Sequence, residues 1–134
     1  MIVGEIMTKE PFAVKVTSSI RSVMRMLAEA DVRHLPVVED GNLVGIVSDR
    51  DLRELAGVEL FENPEAAKEA LARPVSSIMS SNVISVHPED EAAEAIDMMI
   101  EHRIGAVPVV EPDTGRLVGI VSYVDALRAA RDEL

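Results

Sequence analysis

Two short segments of the chain carry the same polar side chains at the same spacing. Residues 45–51 read GIVSDRD and residues 119–125 read GIVSYVD, which places Ser48 and Asp51, or Ser122 and Asp125, after a glycine. An apolar run precedes each serine, so each segment is predicted to pass from a strand into a helix. There, the serine hydroxyl and the first amides of the helix can contact an anion or a polar group. An aspartate one turn into the helix can accept two hydrogen bonds from a vicinal diol.

Helix capping explains the same residues without a ligand. Ser48 and Ser122 would then be N-caps, and Asp51 and Asp125 would complement the positive end of the helix dipole. Capping alone, however, does not require the glycine before each serine, or aspartate rather than glutamate after it. Both segments make these choices while the residues between them differ. The duplication therefore weakens the capping interpretation, and both interpretations stay open.

Positive charge that could bind a phosphate is scarce and unevenly placed. The chain has 13 Lys and Arg against 24 Asp and Glu. The candidates are Arg33, His34, His102 and Arg103. At the positions equivalent to Arg33 and His34 the second half has Gly105 and Ala106, so two sites built from these halves would differ in charge. Alternatively, these basic residues simply offset neighbouring carboxylates.

The remaining polar residues form no recognisable catalytic or metal-binding pattern. The chain has no cysteine, which removes disulfides, thiolate metal ligands and a cysteine nucleophile. His34, His87 and His102 lack the spacing of a zinc site. The GIVS segments do not match the G-x-S-x-G nucleophile elbow, and no phosphate-binding P-loop occurs. We therefore predict that the chain is not an enzyme and binds no metal.

The composition also argues against two classes of partner. A formal net charge of −11 repels nucleic acid and anionic lipid, and aromatic residues, at 2%, leave little surface on which bases could stack. The sequence has neither the long apolar run of a membrane helix nor a signal-peptide pattern. We expect a soluble, cytoplasmic protein that binds neither nucleic acid nor a membrane.

The two motif segments belong to an internal repeat. At an offset of 72, residues 35–39 (LPVVE) match residues 107–111 (VPVVE). After a two-residue insertion, LVGIVS at residues 43–48 recurs identically at residues 117–122. Apolar stripes with helical spacing also correspond, at Ile20, Val23, Met24 and Leu27 and at Ala92, Ala95, Ile96 and Met99.

Each half is predicted to fold as short strand, helix, strand, tight turn, strand and helix. The Asp40-Gly41 pair is a hairpin signal, and residues 113–115 predict a longer turn. Strands such as residues 43–47 are apolar throughout and need cover on both faces, which one βαββα unit is too thin to supply. We therefore predict an α/β (α+β) fold with two βαββα units, packed sheet to sheet about a pseudo-twofold axis. The domains would be residues 1–56 and 75–134, joined by a linker at 57–74 with a short helix between Pro64 and Pro74.

The order of these motifs resembles the CBS domain family. In each half an initial I-M-[ST] segment is followed by an h-P-V-V strand and then by the pattern G-h-h-S-x-x-D, where h is a hydrophobic residue and x is any residue. The resemblance covers nearly the whole chain outside the linker. The resemblance implies a tandem pair, or Bateman module, which is commonly a disc-shaped homodimer. By this resemblance its clefts would bind AMP, ADP, ATP or S-adenosylmethionine, and it would regulate another protein, which the sequence does not identify.

The resemblance further implies that each cleft combines the serine and aspartate of one half with backbone from the other half. The aspartate would bind the ribose hydroxyls, and apolar side chains would enclose the base. One cleft would combine Ser48 and Asp51 with Val83, Ile84, Ile104, Gly105, Ala106 and Pro108. The second would combine Ser122 and Asp125 with Phe12, Ala13, Val32, Arg33, His34 and Pro36. Because of its arginine and histidine, we expect the second cleft to bind phosphorylated ligands more tightly.

A structural dimerisation module is the alternative function. Its clefts would stay empty, and the predicted helices at residues 49–55 and 124–131 would serve as interface elements.

Overall fold

The computed structural model describes residues 1–55 and 63–134, so the predicted end of the first domain at residue 56 and the linker segment 57–62 lie outside the described residues. In chain order the elements are α1 (Val3–Ile6), β1 (Thr8–Lys9), β2 (Val14–Lys15), α2 (Ile20–Ala30), β3 (His34–Glu39), β4 (Asn42–Ser48), α3 (Asp49–Leu55), α4 (Pro64–Ala72), a 3₁₀ turn (Val75–Ser77), α5 (Ala92–His102), β5 (Ala106–Val110), β6 (Leu117–Ser122) and α6 (Tyr123–Glu133). The predicted mixture of helices and two sheets is confirmed.

The first compact unit consists of residues 1–11, 41–43 and 84–134. Its sheet has the order β1-β6-β5, and both pairings are antiparallel. The short strand predicted at the start of the second half is reduced to one parallel bridge between Val86 and Val109. The core is built from small and medium apolar side chains: Val3, Val86, Ala95, Met99, Val107, Val109 and Val121.

The second compact unit consists of residues 12–40 and 44–83. Its sheet has the order β2-β3-β4, in which β2 runs parallel to β3. A further bridge joins Ile46 of β4 to Ser80. Its core has the same character as that of the first unit: Val14, Val23, Leu27, Leu35, Val37, Val47 and Val75.

Each unit contains the leading I-M-[ST] segment of the other repeat. In the first unit Thr8, from the start of the chain, pairs with Ile120 of the second repeat. In the second unit Ser80 pairs with Ile46 of the first repeat through two backbone hydrogen bonds of 2.9 and 3.0 Å. The compact units therefore do not follow the order of the repeats along the chain. The boundaries proposed for the repeats, 1–56, 57–74 and 75–134, stay a prediction.

The helices of the two halves bury the predicted faces, with one correction. In α2 the buried side chains are Ile20, Val23 and Leu27, but Met24 is 40% exposed. Met24 and Val23 lie at opposite edges of the apolar stripe, and only Val23 is covered. The stripe therefore predicted the orientation of α2 correctly and the burial of Met24 wrongly.

The turns adopt the conformations that their residues favour. Asp40 and Gly41 both have positive φ, 53° and 84°, as the predicted two-residue hairpin turn requires. In the longer second turn Gly115 has φ of 76°. The linker helix α4 begins at Pro64, and the Asn63 side chain caps it by accepting a 2.7 Å hydrogen bond from the amide of Ala66. Within the described ranges, no helix has both the length and the hydropathy that crossing a bilayer would require.

Candidate functional site

Both serine and aspartate motifs lie at a junction between a strand and a helix, as predicted. Ser48 ends β4 and Asp49 begins α3, while Ser122 ends β6 and Tyr123 begins α6. The apolar run before each serine forms the strand. The serine is the last residue of that strand, and its hydroxyl caps the helix that follows. The first motif, with Ser48 and Asp51, belongs to the second compact unit. The second motif, with Ser122 and Asp125, belongs to the first compact unit.

Each motif forms a reciprocal capping box. In the second motif the Ser122 amide and hydroxyl donate to Asp125 Oδ2 at 2.9 and 3.1 Å, and the Asp125 amide donates to Ser122 Oγ at 3.2 Å. In the first motif the equivalent distances between Ser48 and Asp51 are 2.8, 3.1 and 3.2 Å. Capping is thus a real function of these residues. The capping bonds occupy Oδ2 of each carboxylate, so any further partner of the motif would bind to Oδ1.

The glycine of each motif makes room for a methionine of the leading segment. A Cβ on Gly119 would lie 2.5 Å from Met7 Sδ and 3.0 Å from the carbonyl oxygen of Thr8. Gly45 has the equivalent relation to Met79, also at 2.5 Å. Close approach of a side chain and a neighbouring backbone is a common reason for glycine in a strand. This contact explains the glycine that capping alone left unexplained, and it requires no ligand.

The carboxylate of Asp125 is buried and held on both oxygens. Only 8% of its side chain is exposed, and it is the one buried charged residue of the described chain. The Thr8 hydroxyl lies 3.3 Å from both Oδ1 and Oδ2. Arg128 Nη1 lies 3.6 Å from Oδ1. Together with the capping bonds, these contacts surround both oxygens with donors.

The carboxylate of Asp51 is more open. It is half-buried, and in residues 1–55 and 63–134 no hydrogen bond or ion pair involves its Oδ1. Ser80 occupies the position equivalent to Thr8, yet its hydroxyl makes no hydrogen bond with Asp51 there. Glu54 occupies the position equivalent to Arg128 and pairs instead with Arg50 at 3.5 Å. The two motifs are therefore alike in their capping and different in their neighbours.

Arg33 and His34 lie beside the first motif in the same unit. The carbonyl oxygen of Arg33 accepts a 3.0 Å hydrogen bond from the amide of Asp49, and Arg33 Nη1 lies 3.7 Å from Asp49 Oδ2. Burial lowers the pKa of His34 below its ordinary value, and the positive charge of Arg33 acts in the same direction. The carboxylates of Asp49 and Asp51 oppose that lowering of the pKa without overcoming it. His34 is therefore neutral at pH 7, and the positive charge at this point is that of Arg33.

The other predicted ligand-binding residues are divided between the two units. Phe12, Ala13, Val32, Pro36 and Val83 belong to the second unit, and Ile84, Ile104, Gly105, Ala106 and Pro108 to the first. Phe12 is 62% exposed. The carbonyl oxygen of Gly105 accepts a 3.0 Å hydrogen bond from the amide of Tyr123. This bond is equivalent to the one between Arg33 and Asp49 in the other repeat. The assignment of these residues to two clefts stays a prediction.

Two residues that contact Asp125 were missed by the sequence reasoning. Thr8 is 117 residues away, and nothing in the sequence indicates which motif its segment joins. Arg128 could have been found, because a residue three positions along a helix lies on the same face. Among the described residues no group of three or more His, Asp or Glu is arranged to hold a metal ion.

Comparison with known proteins gives a consistent result. The family model of the CBS domain matches residues 3–57 and 75–132. A CBS domain-containing protein of Dictyostelium discoideum is 36% identical in an alignment 131 residues long that covers 95% of this chain and 89% of that protein. The chain spans only 38% and 45% of two longer relatives from Methanocaldococcus jannaschii.

Two solved structures match over nearly the full length of both chains. Arabidopsis thaliana CBSX2 in complex with AMP has a TM-score of 0.83 and 30% identity, covering 98% of this chain and 96% of CBSX2. The CBS domain pair of protein MJ0100, in complex with 5′-methylthioadenosine and S-adenosyl-L-methionine, has a TM-score of 0.85 and 27% identity. That match covers 100% of this chain and 98% of the MJ0100 pair.

Proposed function

The chain belongs to the CBS domain family, and from that premise we propose that it is a non-catalytic regulatory module that binds an adenosine-containing ligand. The observation that carries the proposal is the full-length match to two CBS pairs whose structures contain AMP, or 5′-methylthioadenosine and S-adenosylmethionine. These three compounds share an adenine base and a ribose. A ligand of this module would therefore be recognised by its nucleoside part, with AMP, ADP, ATP and S-adenosylmethionine as candidates.

The motif carboxylates supply the chemistry for the ribose. A carboxylate accepts hydrogen bonds through two oxygens, and the capping box uses Oδ2, so Oδ1 is the atom that remains for a ribose hydroxyl. Oδ1 of Asp51 has no partner among the described residues, which makes it ready to accept such a bond. The exposed guanidinium of Arg33 would favour a phosphorylated ligand over an uncharged one.

Calorimetric titration with adenosine, AMP, ATP and S-adenosylmethionine tests the proposal. Replacing a motif aspartate, as in Asp51→Ala or Asp125→Ala, should weaken binding at that motif by about 10- to 150-fold, through the loss of charge-assisted hydrogen bonds worth about 1.5–3 kcal/mol. Asp97→Ala is the matched control, because Asp97 is exposed and its loss changes the net charge equally. The proposal is rejected if none of the four compounds binds, or if both motif variants bind as the wild type does.

Thermal unfolding gives an independent test. A ligand at one hundred times its Kd stabilises the folded state by about 2.7 kcal/mol. A rise in Tm with an adenosine compound, and none with a matched concentration of ribose 5-phosphate, would support recognition of the whole nucleoside.

A structural dimerisation module is the second candidate. One observation favours it: the helices α5 and α6 expose Ile100 (69%), Val124 (44%) and Leu127 (65%). Exposed apolar side chains of this kind are a feature of many protein interfaces. Sedimentation of the wild type and of Leu127→Glu separates the candidates, because a monomeric wild type rejects dimerisation as the function. A homodimer that also binds adenosine compounds would agree with the first proposal, which does not depend on the oligomeric state.

The cellular setting is part of the same proposal. A chain without cysteine suits a reducing compartment, and we place the module in the cytoplasm. The regulated protein would be recognised through a surface that ligand occupancy alters.

A further inference from the structure

The two motif carboxylates differ in what a ligand must displace. Thr8 and Arg128 contact Asp125, and we refer to these two contacts as the Asp125 clamp. Asp51 has no clamp, because among the described residues Ser80 and Glu54 at the equivalent positions form no hydrogen bond or ion pair with it. Among the described residues no side chain therefore competes with a ribose diol for Asp51 Oδ1, whereas at Asp125 the diol competes with a hydroxyl and a guanidinium.

We propose that Arg128 is a specificity-determining residue that competes with the ligand for Asp125, so that the second motif binds an uncharged nucleoside more weakly than the first motif does. This inference rests on the proposed function, since it concerns the same ligand. It also opposes the order expected from Arg33 and His34, because it makes the Asp51 motif the more accessible of the two.

The geometry makes the clamp displaceable. The Thr8 hydroxyl is shared between two oxygens at 3.3 Å each, longer than a strong O–H···O⁻ bond. Arg128 is 58% exposed, so water and salt screen its attraction to Asp125. The clamp therefore weakens ligand binding without preventing it. Although Asp125 is buried, the exposed guanidinium of Arg128 limits the pair to about a two- to fivefold effect on an equilibrium constant.

A titration with adenosine isolates the effect of the clamp. Adenosine carries the diol without a phosphate, and Asp51→Asn in the full chain weakens the first motif by removing the charge that strengthens its hydrogen bonds to the ribose. In that background Arg128→Gln should tighten adenosine binding by about two- to fivefold, and Thr8→Val should act in the same direction. The control is Arg131→Gln on the same helix, which is 74% exposed and pairs with Asp132 at 3.3 Å. It removes the same charge and should leave the affinity unchanged.

Salt and ligand variants provide two further readouts. Raising the salt concentration from about 0.05 to 0.5 M should tighten adenosine binding when Arg128 is present, because salt screens the competing ion pair, and should have no effect in Arg128→Gln. The gain from Arg128→Gln should be absent for 2′-deoxyadenosine, which lacks the diol. A loss of stability alone would produce neither pattern.

The outcomes separate the two proposals. If the wild type binds adenosine compounds and Arg128→Gln leaves adenosine affinity unchanged or lowers it, the clamp is refuted and the proposed function stands. A selective loss of AMP affinity in Arg128→Gln also refutes the clamp, because Arg128 would then be a phosphate ligand. If the wild type binds no adenosine compound, both proposals fail together. Binding in Asp51→Asn that appears only after Arg128→Gln would support the clamp most directly.

Discussion

Replacing Gly119 with alanine tests whether the motif glycine serves packing. The added Cβ would lie 2.5 Å from Met7 Sδ, a distance that real Cβ contacts essentially never reach, and 3.0 Å from the carbonyl oxygen of Thr8. The methionine can move, but the Thr8 carbonyl belongs to β1, which pairs with β6 at this point. We therefore expect Gly119→Ala to cost about 1–3 kcal/mol, typical of overpacking in a well-packed interior, and to lower Tm by several degrees.

A double-mutant cycle of Gly119→Ala and Met7→Ala, followed by denaturant unfolding, tests whether the collision with Met7 causes this loss of stability. Met7→Ala alone should destabilise the protein by leaving a cavity, but it also removes the side chain with which the new Cβ collides. Gly119→Ala combined with Met7→Ala should therefore cost at least about 0.5 kcal/mol less than the sum of the two single changes. Gly45 and Met79 offer a second cycle with the same geometry. Stable alanine variants, or additive effects in both cycles, would refute this explanation of the glycine.

Three further predictions concern the framework around the motifs. Asn63→Ala should destabilise the protein by about 0.5–2 kcal/mol through loss of the α4 cap, whereas Asn82→Ala at an exposed position should be nearly neutral in the same denaturant titration. Leu35→Ala should cost about 2–5 kcal/mol, because Leu35 is fully buried in the second unit. His34 holds a proton less readily when folded than when unfolded, so stability should fall as the pH drops below its ordinary pKa of 6.5. Urea titrations over that pH range should show a smaller fall in His34→Gln, and an equal fall would contradict the assignment.

The repeat predicted the elements well because the same physical pattern occurs twice. The apolar stripe of residues 20–27 predicted α2 and its buried face, and the Asp40-Gly41 pair predicted a turn with two positive φ angles. The same information did not predict that each compact unit contains the leading I-M-[ST] segment of the other repeat. Met7-Thr8 and Met79-Ser80 offer nearly the same side chains to equivalent glycines, Gly119 and Gly45. Since either segment would fit either sheet, the local sequence does not determine which sheet it joins.

The candidate site was predictable in its chemistry and less so in its surroundings. Ser122 and Asp125 were identified from their spacing, and the capping box explains that spacing without excluding a ligand. Arg33 and His34 were predicted as positive charges, but burial keeps His34 neutral, an effect that depends on the folded environment. Thr8 reaches Asp125 only because β1 pairs with β6. The residues of a motif can thus be found in one sequence, whereas the residues that modify it depend on topology.

The two repeats keep the serine and aspartate of the motif and differ at residues that contact or neighbour them. Serine and aspartate are the same in both copies, whereas Arg128 corresponds to Glu54, which reverses the charge one helical turn beyond the aspartate. A change within the motif would remove the capping box together with any ligand site. A change at its neighbour leaves the fold intact and alters only how strongly the carboxylate is already occupied. Two copies of one motif can therefore acquire different affinities for the same nucleoside while both continue to stabilise their helices.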